Sequence, residues 1–174
     1  MAKKVIIVSN KREHDKDYSG FVDSCDVVVR VNKLDNIDDG KTGTKTDIAV
    51  VWPNVSYWKF TPQQQHIAIV RNVERLYLIG PQPAAIDFCR RYNIRKYFPY
   101  PPELMPFVGI APHFWTACAK AVKLADTLFP EDELYFLGDI DCVTRSGFGE
   151  WDITSDENTY LTDLVTKGRM KVLS

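Results

Sequence analysis

Residues 26–51, DVVVRVNKLDNIDDGKTGTKTDIAVV, join two apolar, valine-rich runs through a loop that is rich in Asp, Gly, Lys and Thr. Short, nearly continuous runs of this kind are typical of strands buried on both faces of a parallel sheet. Arg30 and Asn32 interrupt the first run, where further apolar residues would be expected. A charged or amide side chain there must be paired within the fold or face a ligand. These residues alone leave two interpretations open: Arg30 pairs with an acid such as Asp47, or it braces a pocket into which Asn32 points.

Similar apolar runs lie on both sides of this stretch. Together they predict six strands, at residues 5–8, 27–31, 48–51, 66–70, 76–79 and 134–137. Stretches with helical spacing separate several of these runs, and such alternation indicates a layered α/β fold. We therefore expect a Rossmann-like α/β/α sandwich with a mostly parallel central sheet, formed as a single domain by residues 1–174. Ligands of such sheets bind beyond the carboxyl ends of the strands.

Three helices are predicted from spacing and end signals. Residues 83–92 place alanine, phenylalanine and cysteine on one face, and residues 112–128 begin with a proline in the first helical position. The last helix is expected to begin near Thr154, because Thr154 and Glu157 have the spacing of a capping box. It should end near Gly168, a favourable residue just after a helix.

Composition excludes several classes of function. The net charge of −1 gives no electrostatic basis for binding nucleic acid. No apolar run approaches the ~18 residues of a membrane span, and the first run is too short for a signal peptide. We therefore expect a cytoplasmic protein without a membrane span, for which peripheral association with a membrane stays open. The cysteines are scattered and should be reduced thiols in or near the core: Cys25, Cys89, Cys118 and Cys142.

Polar residues follow several of the predicted strands. Ser9 and Asn10 end the first, Asn54 ends the third, and Asp139 with Asp141 follows the last. Neither the dinucleotide fingerprint nor the P-loop is present, which argues against a nicotinamide or flavin cofactor and against an ATPase. Two acids without further ligands are weak evidence for a metal, so none is expected. These strand-end side chains are candidates for contacts with a small polar ligand.

The order of three segments resembles the large sialyl motif of glycosyltransferase family 29, the eukaryotic-type sialyltransferases. The segments are VIIVSN at residues 5–10, DSCDVVVRVNK at 23–33 and DGKTGTKTDIAVVWPN at 39–54. In that family a first strand ends in Gly-Asn, a second has the form D-x-V-x-R-x-N-K, and G-x-K-T leads to a third. Asn10 takes the place of the first Asn, while Ser9 stands where Gly is usual. The resemblance implies that Asn10 and Asn32 contact the cytidine monophosphate (CMP) part of a sugar donor.

Two later segments also resemble motifs of this family. Residues 109–139 are similar in layout to the small sialyl motif, in which Ser/Thr-Gly follows a proline; here His113 and Phe114 follow Pro112. His113 would then lie in the first turn of the predicted helix, where unpaired N–H groups favour a phosphate. Residues 152–170 resemble the last motif, H-x4-E before a helix. With Glu157 in register, Asp152 stands where the family has its catalytic histidine.

The resemblance implies an inverting glycosyltransferase that needs no metal or other cofactor. Its partners would be a nucleotide-sugar donor, CMP-linked sialic acid or a relative, and a glycan acceptor. Such transfer requires a base for the acceptor hydroxyl, and His113 and Asp152 are the candidates. Ser9, Asn54 and Asp139 are expected to line the donor pocket beside Asn10 and Asn32, with Arg30 as structural support. The alternatives are an inactive nucleotide- or sugar-binding protein of this fold and a transferase with a different nucleotide sugar.

Overall fold

The computed structural model describes residues 1–9, 15–32, 34, 37, 40–53, 64–104, 116–138 and 155–173. Within them, seven strands form one sheet in the order β5-β4-β3-β2-β1-β6-β7, and every neighbouring pair is parallel. The strands are β1 (Lys4–Val8), β2 (Val27–Val31), β3 (Ile48–Val51), β4 (Arg75–Leu78), β5 (Phe98–Pro99), β6 (Glu133–Leu137) and β7 (Met170–Leu173). The predicted α/β class with a parallel central sheet is therefore confirmed.

Helices cover both faces of the sheet. They are α1 (Ser19–Ser24), α2 (Gln64–Asn72), α3 (Gln82–Tyr92), α4 (Ala117–Leu128) and α5 (Ser155–Thr166), with a 3-10 turn at Pro102–Leu104. On one face, α1, α2 and α3 pack against alternate strand residues such as Val28 and Leu78. On the other face, α4 and α5 pack against the intervening residues, such as Val29 and Tyr77. This is the three-layer arrangement that the sequence predicts.

The strand order reverses beside β1. From β1 the chain moves outward to β5 with α1, α2 and α3 on one face, and it then returns to place β6 and β7 on the other side of β1. The helices on the two faces diverge at such a reversal, which leaves a crevice at the carboxyl ends of the two central strands. The carboxyl ends of β1 and β6 are therefore the expected location of a ligand.

Five of the six predicted strands are present, as β1, β2, β3, β4 and β6. The strand predicted at residues 66–70 is wrong, because these residues lie within α2. Neighbouring parallel strands need a crossover of a dozen or more residues, which a strand at 66–70 would not leave before β4. Burial of His66, Ile67 and Val70 follows the spacing of a helix. The two outer strands, β5 and β7, are short and were not predicted.

Helix α3 confirms the prediction at residues 83–92, whereas α4 begins later than predicted. Thr116 has an extended backbone and caps α4, so the first turn starts at Ala117 rather than at Pro112. Helix α5 ends as expected near Gly168, where the N–H groups of Gly168 and Arg169 donate to Val165 O and Leu164 O. At 12 residues each, α4 and α5 are the longest helices of the described residues. Neither these nor the shorter ones suffice to cross a bilayer.

The thiols agree with a reduced protein. Cys25 and Cys89 are buried and Cys118 is half-buried, and none of these three forms a disulfide in the described part of the chain. Burial raises the pKa of Cys25 and of Cys89, so both are poor nucleophiles at neutral pH. Cys142 lies outside the described residues.

Candidate functional site

The carboxyl ends of β1 and β6 touch each other at the reversal of strand order. Ser9 is 4% exposed, and its N–H donates to Leu137 O at 2.9 Å. Gly138 has φ 148°, and a Cβ on it would lie 2.2 Å from Ser9 Oγ. Ser9 therefore packs against a backbone that only glycine allows to come so close. Asn10 and Asp139, the next residues in sequence, lie outside the described part of the chain.

Asn32 follows β2 at the same edge of the sheet. Its backbone is left-handed, with φ 55°, a conformation that asparagine adopts more readily than most residues. Its N–H donates to Val50 O at 2.9 Å, and its Oδ1 accepts from the Trp52 N–H at 3.1 Å. These bonds fix the side-chain amide between β2 and β3. Because Oδ1 is engaged by Trp52, Nδ2 is the end of the amide with which Asn32 can donate to a ligand.

Arg30 is fully buried and holds the loop that precedes β3. Its Nη2 donates to Thr42 O at 2.7 Å and to Gly43 O at 2.8 Å, and its Nε donates to Lys45 O at 3.0 Å. Asp47, the acid considered as its partner, accepts from the Val28 N–H at 2.8 Å and lies 3.7 Å from Lys45 Nζ. The contacts of Arg30 are those of a side chain that supports the loop behind Asn32.

Asp23 fixes the same loop from α1. Its Oδ1 accepts from the N–H groups of Thr44 and Lys45, both at 2.9 Å. Gly43 has φ 66°, and a Cβ on it would lie 2.3 Å from that Oδ1. Lys45 Nζ reaches back to Asp26 O at 3.0 Å. The Gly and Lys of the G-x-K-T segment are thus accounted for by loop structure. Sequence reasoning gave Asp23 no role, because an acid in a short exposed helix has no distinguishing pattern.

The starts of α4 and α5 are joined by a buried carboxylate. Glu157 is 0% exposed; its Oε1 accepts from Thr116 Oγ1 at 2.6 Å and its Oε2 from the Thr116 N–H at 3.1 Å. Thr116 Oγ1 in turn accepts from the Ala119 N–H at 3.2 Å, which caps α4. Glu157, which was predicted to form a capping box with Thr154, therefore uses both carboxylate oxygens to bind Thr116 at the start of the neighbouring helix. Thr154 itself lies outside the described residues.

Lys120 is a buried cation in the first turn of α4. Its side chain is 2% exposed, and Nζ lies 5.7 Å from the centroid of the Trp52 ring. Burial lowers the pKa of Lys120 to about 8, although the charge of Glu157 opposes this shift. Burial also raises the pKa of Glu157, against the effects of its bonds to Thr116 and of the Lys120 charge. Both ionised forms are thus held in a place that disfavours charge.

Lys120 was not singled out from the sequence, although a signal for it exists. It lies three residues after Ala117 and four before Leu124, on the apolar stripe of the helix. Tyr100, which follows β5, donates its hydroxyl to Lys120 O at 3.0 Å, and burial raises the pKa of this tyrosine. A lysine on a stripe that otherwise packs on the sheet is the sequence feature that could have drawn attention to this position.

Three of the predicted site residues can be placed. Ser9, Arg30 and Asn32 lie at or near the carboxyl ends of β1 and β2, which are adjacent parallel strands. The others lie outside the described residues: Asn10, Asn54, His113, Asp139 and Asp152. The described helix α4 starts at Ala117, later than the predicted start at Pro112. Among the described residues, no three His, Cys, Asp or Glu side chains come together as a metal site.

Comparison with known proteins gives a fold rather than a sequence family. No family model matches the sequence, and no curated protein matches it. A crystal structure of a mammalian sialyltransferase in complex with Gal-β1-3GalNAc-ortho-nitrophenol superposes with a TM-score of 0.69 at 15% identity, covering 99% of this chain and 69% of that one. A second crystal structure of a mammalian sialyltransferase gives a TM-score of 0.63 at the same identity and coverage. Over nearly its whole length, the chain has the fold of the mammalian sialyltransferases.

Proposed function

We propose that this protein is a glycosyltransferase that moves a sugar, most simply sialic acid, from a CMP-linked donor to a glycan acceptor with inversion. The observation that carries the proposal is the sialyltransferase fold over 99% of the chain, combined with sialyl-type segments at the carboxyl ends of its central strands. Fold alone does not fix a reaction, since unrelated activities occur on similar α/β sheets. The polar residues at those strand ends supply the second line of support.

Asn32 is the described residue with the strongest claim to the donor. The Trp52 N–H fixes its amide, so a nucleotide would meet a side chain already oriented for hydrogen bonding. Amides suit ribose hydroxyls and phosphate oxygens because they recognise them without adding charge. We assign Asn10, Asn54 and Asp139 to the same donor pocket on their sequence positions, with Ser9 at its base and Arg30 as support.

The proposed reaction is a single displacement at the anomeric carbon. The hydroxyl oxygen of the acceptor forms a bond to the anomeric carbon. The bond between that carbon and the phosphate oxygen of the donor breaks, and CMP leaves with the electron pair. A base must take the hydroxyl proton, and the phosphate needs stabilisation as its charge develops. His113 and Asp152 remain the candidates for proton transfer. Aspartate is the weaker base at neutral pH, because its ordinary pKa is near 4.

Calorimetry with CMP tests the donor site, and Asn32→Asp is the informative variant. It keeps an oxygen for the Trp52 N–H and tolerates the left-handed backbone, but it removes the amide donor and adds a negative charge. We expect CMP affinity to fall at least tenfold with little change in melting temperature. Asn93→Asp is the matched control, because Asn93 has a similar left-handed backbone, φ 52°, at the end of α3. An equal effect of both substitutions would contradict a donor role for Asn32.

A second candidate is a nucleotide-binding protein of this fold without transferase activity. It is favoured by the histidines of the sequence, which are His14, His66 and His113, so that none stands in the last motif. Donor hydrolysis and transfer to Gal-β1-3GalNAc, the disaccharide unit of the compound bound in the mammalian sialyltransferase complex, separate the two candidates. Turnover that is lost in His113→Ala or Asp152→Ala supports the transferase. CMP binding without turnover supports the binding protein, and preferential binding of uridine or guanosine diphosphate supports a different donor.

A further inference from the structure

Lys120 carries its positive charge in the buried first turn of α4, where the helix dipole and the loss of hydration both make a cation unfavourable. The first turn of a helix carries a partial positive charge from its unpaired N–H groups, so a cation there is repelled. Burial to 2% exposure adds the loss of hydration. Within the described part of the chain, Nζ donates no hydrogen bond; it faces the Trp52 ring and senses the charge of Glu157. These contacts compensate for only part of the cost of the buried ammonium.

Glu157 is not a dedicated counterion for Lys120. Both of its oxygens already accept hydrogen bonds from Thr116, at 2.6 and 3.1 Å, in the contact that caps α4. Two other groups beside Lys120, the Trp52 ring and the Tyr100 hydroxyl bound to Lys120 O, bring no negative charge when neutral. The first turn of α4 therefore combines an ammonium group with the N–H end of a helix, which together form a favourable environment for an oxyanion.

The position of this charge connects it to the proposed donor site. Trp52, whose ring lies below Nζ, donates its N–H to Oδ1 of Asn32 at the end of β2. Trp52 is only half-buried, so the residue that contacts both Lys120 and Asn32 reaches solvent at the edge of the sheet. Asn32 and Lys120 thus share one neighbour, Trp52, which places the two side chains in the same region of the fold.

We propose that Lys120 and the first turn of α4 form an anion site that binds an oxyanion of the ligand held by Asn32, a phosphate or a sugar carboxylate. This rests on the proposed function for the identity of the ligand, but the anion site itself is testable without a nucleotide. Glu157 offsets the Lys120 charge without forming an ion pair with it among the described residues, so a bound anion would add the direct counter-charge. Among the described residues, the other buried cation near these strand ends is Arg30, which donates to the carbonyls of the loop before β3.

Lys120→Met tests the site because it keeps most of the side-chain volume and removes the charge. Lys123→Met is the matched control, since Lys123 lies on the same helix with its Nζ 4.8 Å from the Tyr160 ring. Calorimetry would compare CMP with cytidine, which lacks the phosphate, and N-acetylneuraminic acid would serve as the carboxylate probe. We expect Lys120→Met to lower the affinity for CMP or for N-acetylneuraminic acid at least tenfold and to leave the affinity for cytidine unchanged. Lys123→Met should bind all three compounds as the wild type does. The compound whose affinity falls shows whether the site binds the phosphate or the sugar carboxylate.

The pH dependence gives an independent measurement. The pKa of Lys120 is about 8 without ligand, and its titratable neighbours among the described residues are Glu157 on α5 and Tyr100 after β5. A bound anion favours the charged lysine, so affinity should fall as pH rises from 8 to 9.5 in the wild type and stay flat in Lys120→Met. The phosphate of CMP is fully ionised across this range, since its second pKa is about 6. An affinity with the same pH profile in both proteins would overturn the proposal.

A thermal shift with inorganic pyrophosphate separates this inference from the proposed function. Pyrophosphate should raise the melting temperature of the wild type but not that of Lys120→Met. If this holds while no cytidine compound binds, the anion site stands and the CMP-donor proposal fails. If CMP binds equally well to wild type and Lys120→Met, and N-acetylneuraminic acid does too, the donor proposal stands and the anion site is wrong.

Discussion

Lys120 and Glu157 are ionisable side chains that the fold removes almost completely from water, with exposures of 2% and 0%. Buried charges of this kind usually cost stability relative to apolar residues of similar volume. Glu157 is compensated by two hydrogen bonds that cap α4, whereas Lys120 has the Trp52 face and the charge of Glu157. Of the two, Lys120 is thus the less well compensated, which fits its proposed role in binding an anion.

Stability should increase with pH because of Lys120. The unfolded chain keeps the lysine proton up to its ordinary pKa of 10.5, while the folded protein releases it from about 8. Between these values the unfolded state binds more protons, so the free energy of unfolding rises with pH. The shift corresponds to about 3 kcal/mol across this window. Chemical denaturation of wild type and Lys120→Met at pH 7 to 10 measures it.

The difference in unfolding free energy between wild type and Lys120→Met at each pH removes the contribution of the groups that both proteins share. Lys120→Met should be more stable than the wild type at pH 7, and its advantage should shrink as the pH approaches 10. A constant difference between the two proteins would mean that the ammonium is not destabilised by burial.

Gly138 lies so close to Ser9 that there is no room for a Cβ on residue 138. Gly138→Ala should lower the melting temperature by several degrees, because the new Cβ would meet Ser9 Oγ at 2.2 Å and Ser9 Cβ at 2.7 Å. The double variant Ser9→Gly with Gly138→Ala should recover part of this loss, since the clash is removed while φ 148° remains unfavourable. Gly20→Ala, which meets nothing within 4 Å, is the control. Full stability of Gly138→Ala would contradict the close contact of β1 and β6.

The loop before β3 is held from two elements, by Arg30 of β2 and Asp23 of α1. Arg30→Met would leave buried carbonyls of Thr42 and Gly43 without their donors, at a cost of about 2–4 kcal/mol. Arg90→Met, at an exposed arginine of α3, should change stability by less than about 0.5 kcal/mol. Urea denaturation compares the two. If Arg30→Met is no less stable than Arg90→Met, the bracing role is wrong.

Strands and helices were predictable to the extent that their patterns were local. The central strands have continuous apolar runs, and α3 has regular spacing, so both were predicted. Residues 66–70 are equally apolar, but the need for a crossover between β3 and β4 makes them part of α2. The start of α4 was misplaced for a similar reason, because the cap at Thr116 is completed by Glu157 from another helix.

The candidate site shows the same limit. Arg30 and Asn32 were singled out because polar residues in a valine run are locally conspicuous. Lys120 and Glu157 acquire their importance from burial and from contacts across helices, whereas the sequence shows only a lysine on an apolar stripe and a glutamate at capping-box spacing. Asn32 was predicted at the site, yet its left-handed backbone and its bond to Trp52 depend on the pairing of β2 and β3.

The topology of the sheet brings distant segments of the chain to one place. Strand order reverses between β1 and β6, so the end of the first strand meets Gly138, near the end of the sixth. The helices α4 and α5 begin on this same side, because each runs back antiparallel to the strands before entering β6 or β7. The described ends of β1, β2 and β6 and the starts of α4 and α5 therefore lie at one edge of the sheet, where ligands of such folds bind.

The measurement that tests the central proposal most directly is calorimetric titration of the wild-type protein with CMP, with uridine monophosphate as the comparison nucleotide. We predict saturable binding of CMP with one site per chain, at least tenfold tighter than that of uridine monophosphate, and at least tenfold weakened by Asn32→Asp but not by Asn93→Asp. Absence of CMP binding, or equal binding by all three proteins, would contradict a CMP-sugar site at the carboxyl ends of β1 and β2.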